Sequence, residues 1–396
     1  LTVARQGPLS GMRVVDLSTS YAGPTATMYL AEMGADVIKV ERPEGDDTRA
    51  WGPPFVDGET AWFLSANRGK RSVCLDLTRP DGRDRLFALL ADADVFVESF
   101  NPAKLVKLGI HPDELRARFP RLIYCALSGF GLDGPDADLP GYDLIAQARS
   151  GLMSVTGAAG GSPQRVSTAL SDVVAALVAA FAVAAAFRHQ ERTGEGEVID
   201  VSLLEADLAL LAPRVAAYLA GEEEPHPSGA TDSVLFPYQP FATADRPVVV
   251  AAGNDRIWRR FVAAVELPEL LSDEFATNAG RKRRRQFLVD AISARLASRP
   301  SAHWLAAFRD AGVPCAAVQS LSEALVDPQV VARRMVTAVD HPAGGAAAAV
   351  LEAPWVLNSR PRPVSHRRPP ALGEHTAGVL ADVDVDVDLT HEGAPT

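Results

Sequence analysis

Cysteine is scarce in this chain, with three residues among 396, at Cys74, Cys125 and Cys315. They stand far apart, and none belongs to a C-x-x-C pair or a metal-ligand spacing, a usage that fits a reducing cytoplasm. Histidine offers no metal site either, because His189, His226, His303 and His341 are scattered. No metal is expected. Positive charge is also short: 39 Lys and Arg against 50 Asp and Glu leave a formal net charge of −11. Neutralising phosphates needs clustered cations, so a nucleic-acid partner is not expected. The one basic run, Arg281 to Arg285, precedes an apolar periodic stretch (Phe287, Ile292, Leu296) and reads as a solvated helix start. Long apolar runs are missing too. The longest, Val173 to Phe187, is mostly alanine and valine and falls short of the roughly 20 residues that span a bilayer, so it reads as a buried helix. No charged segment with an apolar core opens the sequence, and neither export nor a membrane partner is expected.

What the chain does have is 47% hydrophobic and 22% charged residues, enough apolar material for the cores of two ordinary domains. From Met12 it alternates strand-like with helix-like runs: MRVVDLS, TATMYLAEMGA and DVIKVERP make a βαβ opening. Further strands are expected at Ser72 to Leu77, Asp94 to Phe100 and Arg121 to Gly129, with helices at Gly82 to Ala91 and Pro102 to Leu108. The pattern predicts an α/β protein with a Rossmann-like, doubly wound large domain. A dinucleotide site would need G-x-G-x-x-G after the first strand, where the chain reads STSYAGPTA, so NAD is disfavoured. The glycines of GAAGG, Gly157 to Gly161, read as turn chemistry.

The expected organisation is a large domain over 1–220, a linker over 221–234 and a smaller α+β domain over 235–325. A return linker over 326–355 follows. Residues 356–396 complete the large domain with a short helix near Thr376, and end in an acidic tail that alternates Asp with Val.

Four stretches carry a resemblance. They are GPTATMYLAEMGADVIKVERPEGDDTR, NRGKRSVCLDLTRPDGR, GFGLDGPDADLPGYDLIAQARSGLMSVTG and LSDVVAALVAAFAVAAAFRHQERTGEGEVIDVSLLEA. In order and spacing they resemble the family III CoA-transferases and their relatives, the α-methylacyl-CoA racemases. The resemblance extends to PYQPFATAD, AAGNDRIWRRF and LGEHT. It implies a nucleotide-type fold that takes coenzyme A as a substrate, with no permanently bound cofactor, in an interlocked homodimer. The long linker and the return segment are consistent with interlocking, since long structureless connections in a compact domain call for a reason.

The resemblance places the family's nucleophilic aspartate at Asp172. Read by itself, an Asp before an apolar helical run is an N-cap, and the two readings are compatible: helix-terminal N–H groups and the dipole would hold the carboxylate ionised. Water exclusion would then protect the anhydride and thioester intermediates. The racemase relatives carry a histidine in a GHD triplet, where this chain has Gly141-Tyr142-Asp143. A tyrosine with a pKa near 10 is a poor base at neutral pH, so CoA transfer is favoured over racemisation, with a CoA-binding protein lacking turnover as a further alternative. The resemblance further implies a CoA site at Arg42, Leu75, Leu77, Thr78, Arg79, Phe100, Lys104 and Lys107. Here Lys107 replaces a customary arginine and offers a point charge instead of a bidentate fork. Tyr142 either lines the CoA arm or packs in the core. Tyr21 stands where some members contact intermediates through glutamine. No glycine-rich loop occurs near Phe236 to Thr243, which speaks against formyl-CoA and oxalate. Carboxylic acids are the expected co-substrates, and their identity is not legible.

Overall fold

The structure is a computed structural model that describes residues 7–56, 58–340, 346–358, 365–366 and 368–383. The acidic tail from 384 onward lies outside the described residues. The chain divides into two units. One comprises the chain up to Met153, Arg165–Glu223 and the chain from Gln329; the other comprises Ser154–Gln164 and Glu224–Pro328.

The first unit is built on six parallel strands, β1 (Arg13–Asp16), β2 (Asp36–Glu41), β3 (Lys70–Cys74), β4 (Val95–Glu98), β5 (Ile123–Ser128) and β6 (Val198–Ser202). Their order in the sheet is β3-β2-β1-β4-β5-β6, that of the doubly wound nucleotide-binding folds. Helices cover both faces, so successive residues of a strand enter different cores. Val14, Val37, Val95 and Val97 pack into one layer, Val15, Ile38 and Phe96 into the other.

The helices of this unit used below are α1 (Ala22–Glu32), α2 (Pro80–Ala91), α3 (Pro102–Leu108), α4 (Pro112–Arg118), α5 (Asp143–Arg149), α6 (Leu170–Thr193) and α7 (Leu203–Leu210). Helix α3 shows why its boundaries were legible. Asn101 caps the amide of Lys104, Pro102 needs no amide partner at the first position, and Gly109 ends the helix at φ 69°. Helix α4, by contrast, was not expected, although it too opens with a proline.

Helix α6 corrects the expectation of a buried helix. By length and composition it could cross a membrane, yet only one face is buried, formed by Ala175, Ala176, Ala179, Ala180, Val183 and Ala186. Their 3–4 residue spacing makes a smooth stripe on which α1 lies closely. On the other side Phe181 is 77% exposed.

The expected return linker also differs from the structure, for it carries two paired antiparallel strands, β10 (Val336–Asp340) and β11 (Ala346–Leu351). A run of alanine concealed β11, which reads AAAAVL, because alanine has little strand preference; β10 reads VTAVD, and its β-branched residues were a strand signal that the sequence reading passed over.

In the second unit β7 (Tyr238–Phe241), β8 (Val248–Ala251) and β9 (Cys315–Ala317) form an antiparallel sheet in the order β9-β8-β7. It packs against helices that bring Trp258, Phe261, Ile292, Trp304 and Phe308 into one core. Residues 154–164, which the sequence reading left with the large domain, join this unit, where the amide of Gly229 donates to Gly157 O at 2.9 Å. Arg281 is a correction. It is fully buried, donating to the carbonyls of Phe236 and Phe275 and to Asp255 at 2.8–3.0 Å. A planar fork with five donors can satisfy several loop carbonyls at once, which a solvated helix start does not require.

Candidate active site

Parallel strands deliver their loops to one edge of the sheet, and a crevice opens where the strand order reverses. Here that point lies between β1 and β4. Two cavities occupy the carboxyl ends of the strands. The first, about 340 Å³, is lined by the exits of β1 (Leu17 to Thr19), β2 (Arg42 to Asp46), β3 (Leu75 to Thr78) and β4 (Phe100, Lys104). The second, about 260 Å³, takes Thr19 to Gly23 in part, Trp51, Ser99 to Lys104 in part, Leu127 to Gly129, Leu139 to Tyr142, and Asp172. Thr19, Phe100 and Lys104 line both, so the cavities adjoin.

Beneath the first cavity lies a buried charge network. Lys39 donates to Asp46 at 2.8 Å and to Ser18 O at 3.0 Å, and Asp46 accepts from the amides of Thr48 and Ser20. Asp16 accepts from Lys70 at 3.0 Å and from Thr27 and Ser18. Burial alone would push the Asp16 carboxyl up, but Lys70 and Lys39 beside it hold it down at about 2. Burial and Lys39 pull the Lys70 ammonium down to about 8, so the pair is charged on both sides at neutral pH. The network pins the loop after β1, in which Ser20 adopts φ 68°. Gly23 is required there: a Cβ would stand 2.3 Å from Ser18 Oγ. Sequence reasoning missed this network. The available signal was a lysine in the middle of the apolar strand DVIKVE.

The second cavity rests on carboxylates. Asp172 lies in the first turn of α6, with Ala169 at the cap position. It is therefore not an N-cap. The amide of Ser171 donates instead to Asp143 at 3.0 Å, and Asp143 also accepts from Gln147 at 2.9 and 3.0 Å and from Arg165 at 3.4 Å. No hydrogen bond or salt bridge reaches the Asp172 carboxyl among the described residues. Burial, then the neighbouring Asp143 and Asp207, push it up to about 7, opposite to the expected effect of a helix terminus. The cavity wall depends on a glycine pair, since a Cβ on Gly129 would come 2.6 Å from Gly141 Cα.

The structure brings most of the expected residues together. Arg42, Leu75, Leu77, Thr78, Phe100 and Lys104 line the first cavity. Lys104 sits 3.5 Å over the Phe100 ring, and its ammonium is lowered by burial and by Arg42. Tyr142, 56% exposed, lines the second cavity and is no core residue. Three expected residues stand elsewhere. Arg79 is exposed and paired with Asp81 at 3.0 Å. Lys107 faces a separate surface depression with Arg83 and Arg118. Tyr21 turns edge-on to Trp62 at 5.1 Å, outside both linings. Away from the cavities, Glu32, Glu352 and His366 hold possible ligand atoms within 4.8 Å of one another, but Glu32 pairs with Arg68 and Glu352 with His366.

A doubly wound sheet with a pocket at the strand ends and a carboxylate on the adjoining wall defines an α/β enzyme able to take a nucleotide-bearing substrate. Residues 9–376 match the family described as CoA-transferase family III, and the chain belongs to that family. It is 40% identical over 389 residues to the succinate–glutarate CoA-transferase of Agrobacterium fabrum, covering 96% of both chains. It is 39% identical to the succinyl-CoA:glutarate CoA-transferase of Mus musculus, covering 95% of this chain and 86% of that one. The crystal structure of a CAIB/BAIF family protein from Brucella suis superposes with a TM-score of 0.82 at 35% identity, covering 96% of this chain and all of that one. The protein is a CoA-transferase, an enzyme that exchanges CoA between carboxylic acids.

Proposed function

We propose that the protein moves CoA from a dicarboxylic acyl-CoA, succinyl-CoA in the first instance, to a second dicarboxylic acid of glutarate size, through covalent intermediates on Asp172. The observation that carries this reading is the position of Asp172 on a cavity that shares Thr19, Phe100 and Lys104 with a larger pocket at the strand ends. In this reading the nucleotide end of CoA lies along Arg42, Leu75, Leu77 and Thr78, and the thioester passes Phe100 and Lys104 to reach Asp172. The names of the relatives support the choice of acids, and Lys104 offers a cation for a distal carboxylate.

The ionised Asp172 attacks the thioester carbonyl, the C–S bond breaks, and CoA leaves as thiolate from a mixed anhydride. The thiolate attacks the aspartyl carbonyl and releases the donor acid as carboxylate. The acceptor carboxylate then attacks the aspartyl thioester and expels the thiolate again. Finally the thiolate takes the acceptor acyl group, which returns Asp172 as carboxylate. No proton is consumed overall, and no ATP is needed, because an activated acyl bond persists at each stage. A carboxylate raised towards 7 is more basic than an ordinary carboxylic acid, and so a better nucleophile in its ionised form.

Racemisation is disfavoured because Tyr142 stands where the racemase relatives carry a histidine. We further propose an interlocked homodimer. The exposed apolar side chains Phe181 and Leu219, each 77% exposed, with Val178 and Tyr218, support a partner surface. Incubation with succinyl-CoA should add the mass of a CoA thioester to the intact protein, and hydroxylamine should remove it as a hydroxamate on Asp172. Exchange into glutarate should fall by on the order of 10³-fold or more in Asp172→Ala. Undiminished exchange in that variant overturns the proposal.

A further inference from the structure

Asp207 belongs to none of the expected site residues and lines neither cavity, yet it is bonded to Ser171, the residue before Asp172. It sits on α7, fully buried. One oxygen, Oδ2, accepts from Ser171 Oγ at 2.9 Å and from Ser150 Oγ at 3.4 Å. The other, Oδ1, is buried with no hydrogen-bond partner among the described residues. A purely structural carboxylate would be expected to satisfy both oxygens, since leaving a buried polar atom unpaired is costly.

We infer that Asp207 is a positioning residue for the transfer reaction: from α7 it holds Ser171, and with it the first turn of α6 that carries Asp172, and its charge bears on that turn. This rests on the reading of Asp172 as nucleophile. Ser171 is the hinge of the arrangement. Its hydroxyl donates to Asp207 while its amide donates to Asp143, so the residue before Asp172 is clamped between two acids. Arg165, Gln147 and the Ser171 amide all donate to Asp143. Asp207 has two hydroxyls and, among the described residues, no cation. After burial, the charges of Asp143 and Asp207 both raise the Asp172 carboxyl, so the ionisation of Asp172 depends on the state of Asp207. The groups facing Asp172 are Asp143 from α5 and Asp207 from α7, with Arg165 reached through Asp143, and Tyr142 and Lys104 on the shared cavity wall. Burial, weakened by the two serine hydroxyls, also raises the Asp207 carboxyl.

The test is a carboxyl titration of the free enzyme by carbon-13 NMR with labelled aspartate, the Asp172 signal being assigned by its loss in Asp172→Asn. The midpoint should lie near 7 in the parent protein and move down by about 0.5–1 unit in Asp207→Asn. Ser171→Ala is the second variant. Withdrawing the hydroxyl makes Asp207 keep its proton more firmly, so the Asp172 midpoint should move in the same direction by less. Asp207→Glu should restore most of the parent midpoint, which a merely structural role would not require. An Asp172 midpoint near 4 in the parent, or one unmoved or raised in both Asp207→Asn and Ser171→Ala, overturns the inference. Because the titration needs no substrate, it remains readable if Asp172→Ala leaves exchange intact, the result that would instead remove the nucleophile reading.

Discussion

The floors of the two cavities are both made of buried acids, and they behave in opposite ways. Under the first, Asp16, Glu41 and Asp46 are held below the ordinary carboxylate range although burial works against them, because Lys39, Lys70 and Arg49 stand beside them. Under the second, Asp172 and Asp207 are raised, since burial is joined by other carboxylates and the guanidinium of Arg165 is engaged with Asp143. Burial is common to both. The sign of the neighbours decides whether an acid becomes a permanent charge that pins a loop or a titratable group poised for chemistry.

Breaking the first floor should produce the larger loss of stability. Lys39→Met leaves Asp46 buried without its cation and should cost about 3–5 kcal/mol, measured by urea unfolding at pH 7. A loss well under 1 kcal/mol would mean that the network is not a structural support.

The pH dependence sharpens the contrast, since the two floors should fail in opposite directions. Asp16, lowered from 3.8 to about 2, contributes stability that is present above pH ~4 and lost as pH falls through 2. Asp172, raised from 3.8 to about 7, contributes stability that is present below pH ~4 and lost as pH rises through 7. Asp172→Asn should therefore stabilise the protein at pH 8 by on the order of 2 kcal/mol, after allowance for solvent at the cavity wall, and by much less at pH 5. Equal effects at both values would contradict the raised carboxyl. In exchange assays the same ionisation should appear as an acidic limb centred near pH 7.

The smallest effects distinguish residues on the first cavity from residues beside it. Arg42→Gln should raise the KM for acyl-CoA about 5-fold, the loss of roughly 1 kcal/mol expected of one exposed charged contact. Arg79→Gln, which breaks only an exposed pair with Asp81, should change KM by less than about 2-fold. A larger effect for Arg79 than for Arg42 would reverse the placement of the CoA nucleotide.

The strands of the sheet and helices such as α2 and α3 were legible because they follow from local rules, alternating apolar runs with Asn-Pro and Gly at helix ends, whereas the residues of the first cavity came only from the family resemblance. The alanine-rich strand β11 of the return segment was not legible, since alanine favours no strand. Buried Arg281 was not, since a basic run looks the same whether water or carbonyls surround it. Arg79, Lys107 and Tyr21 occupy promising positions in the chain, but their side chains leave the cavities for Asp81, for the surface beyond α3 and for Trp62.

By itself the sequence determined the α/β class, the parallel sheet and the place of Asp172 at the start of a long alanine helix, because periodicity and capping act over a few neighbouring residues. Only the tertiary structure decided that Asp172 would be a raised acid and no helix cap. Its state depends on Asp143 and Asp207, which stand 29 and 35 positions away in the chain and meet it because α5, α6 and α7 pack together. Electrostatic coupling depends on distance through the folded protein, which spacing along the chain does not reveal.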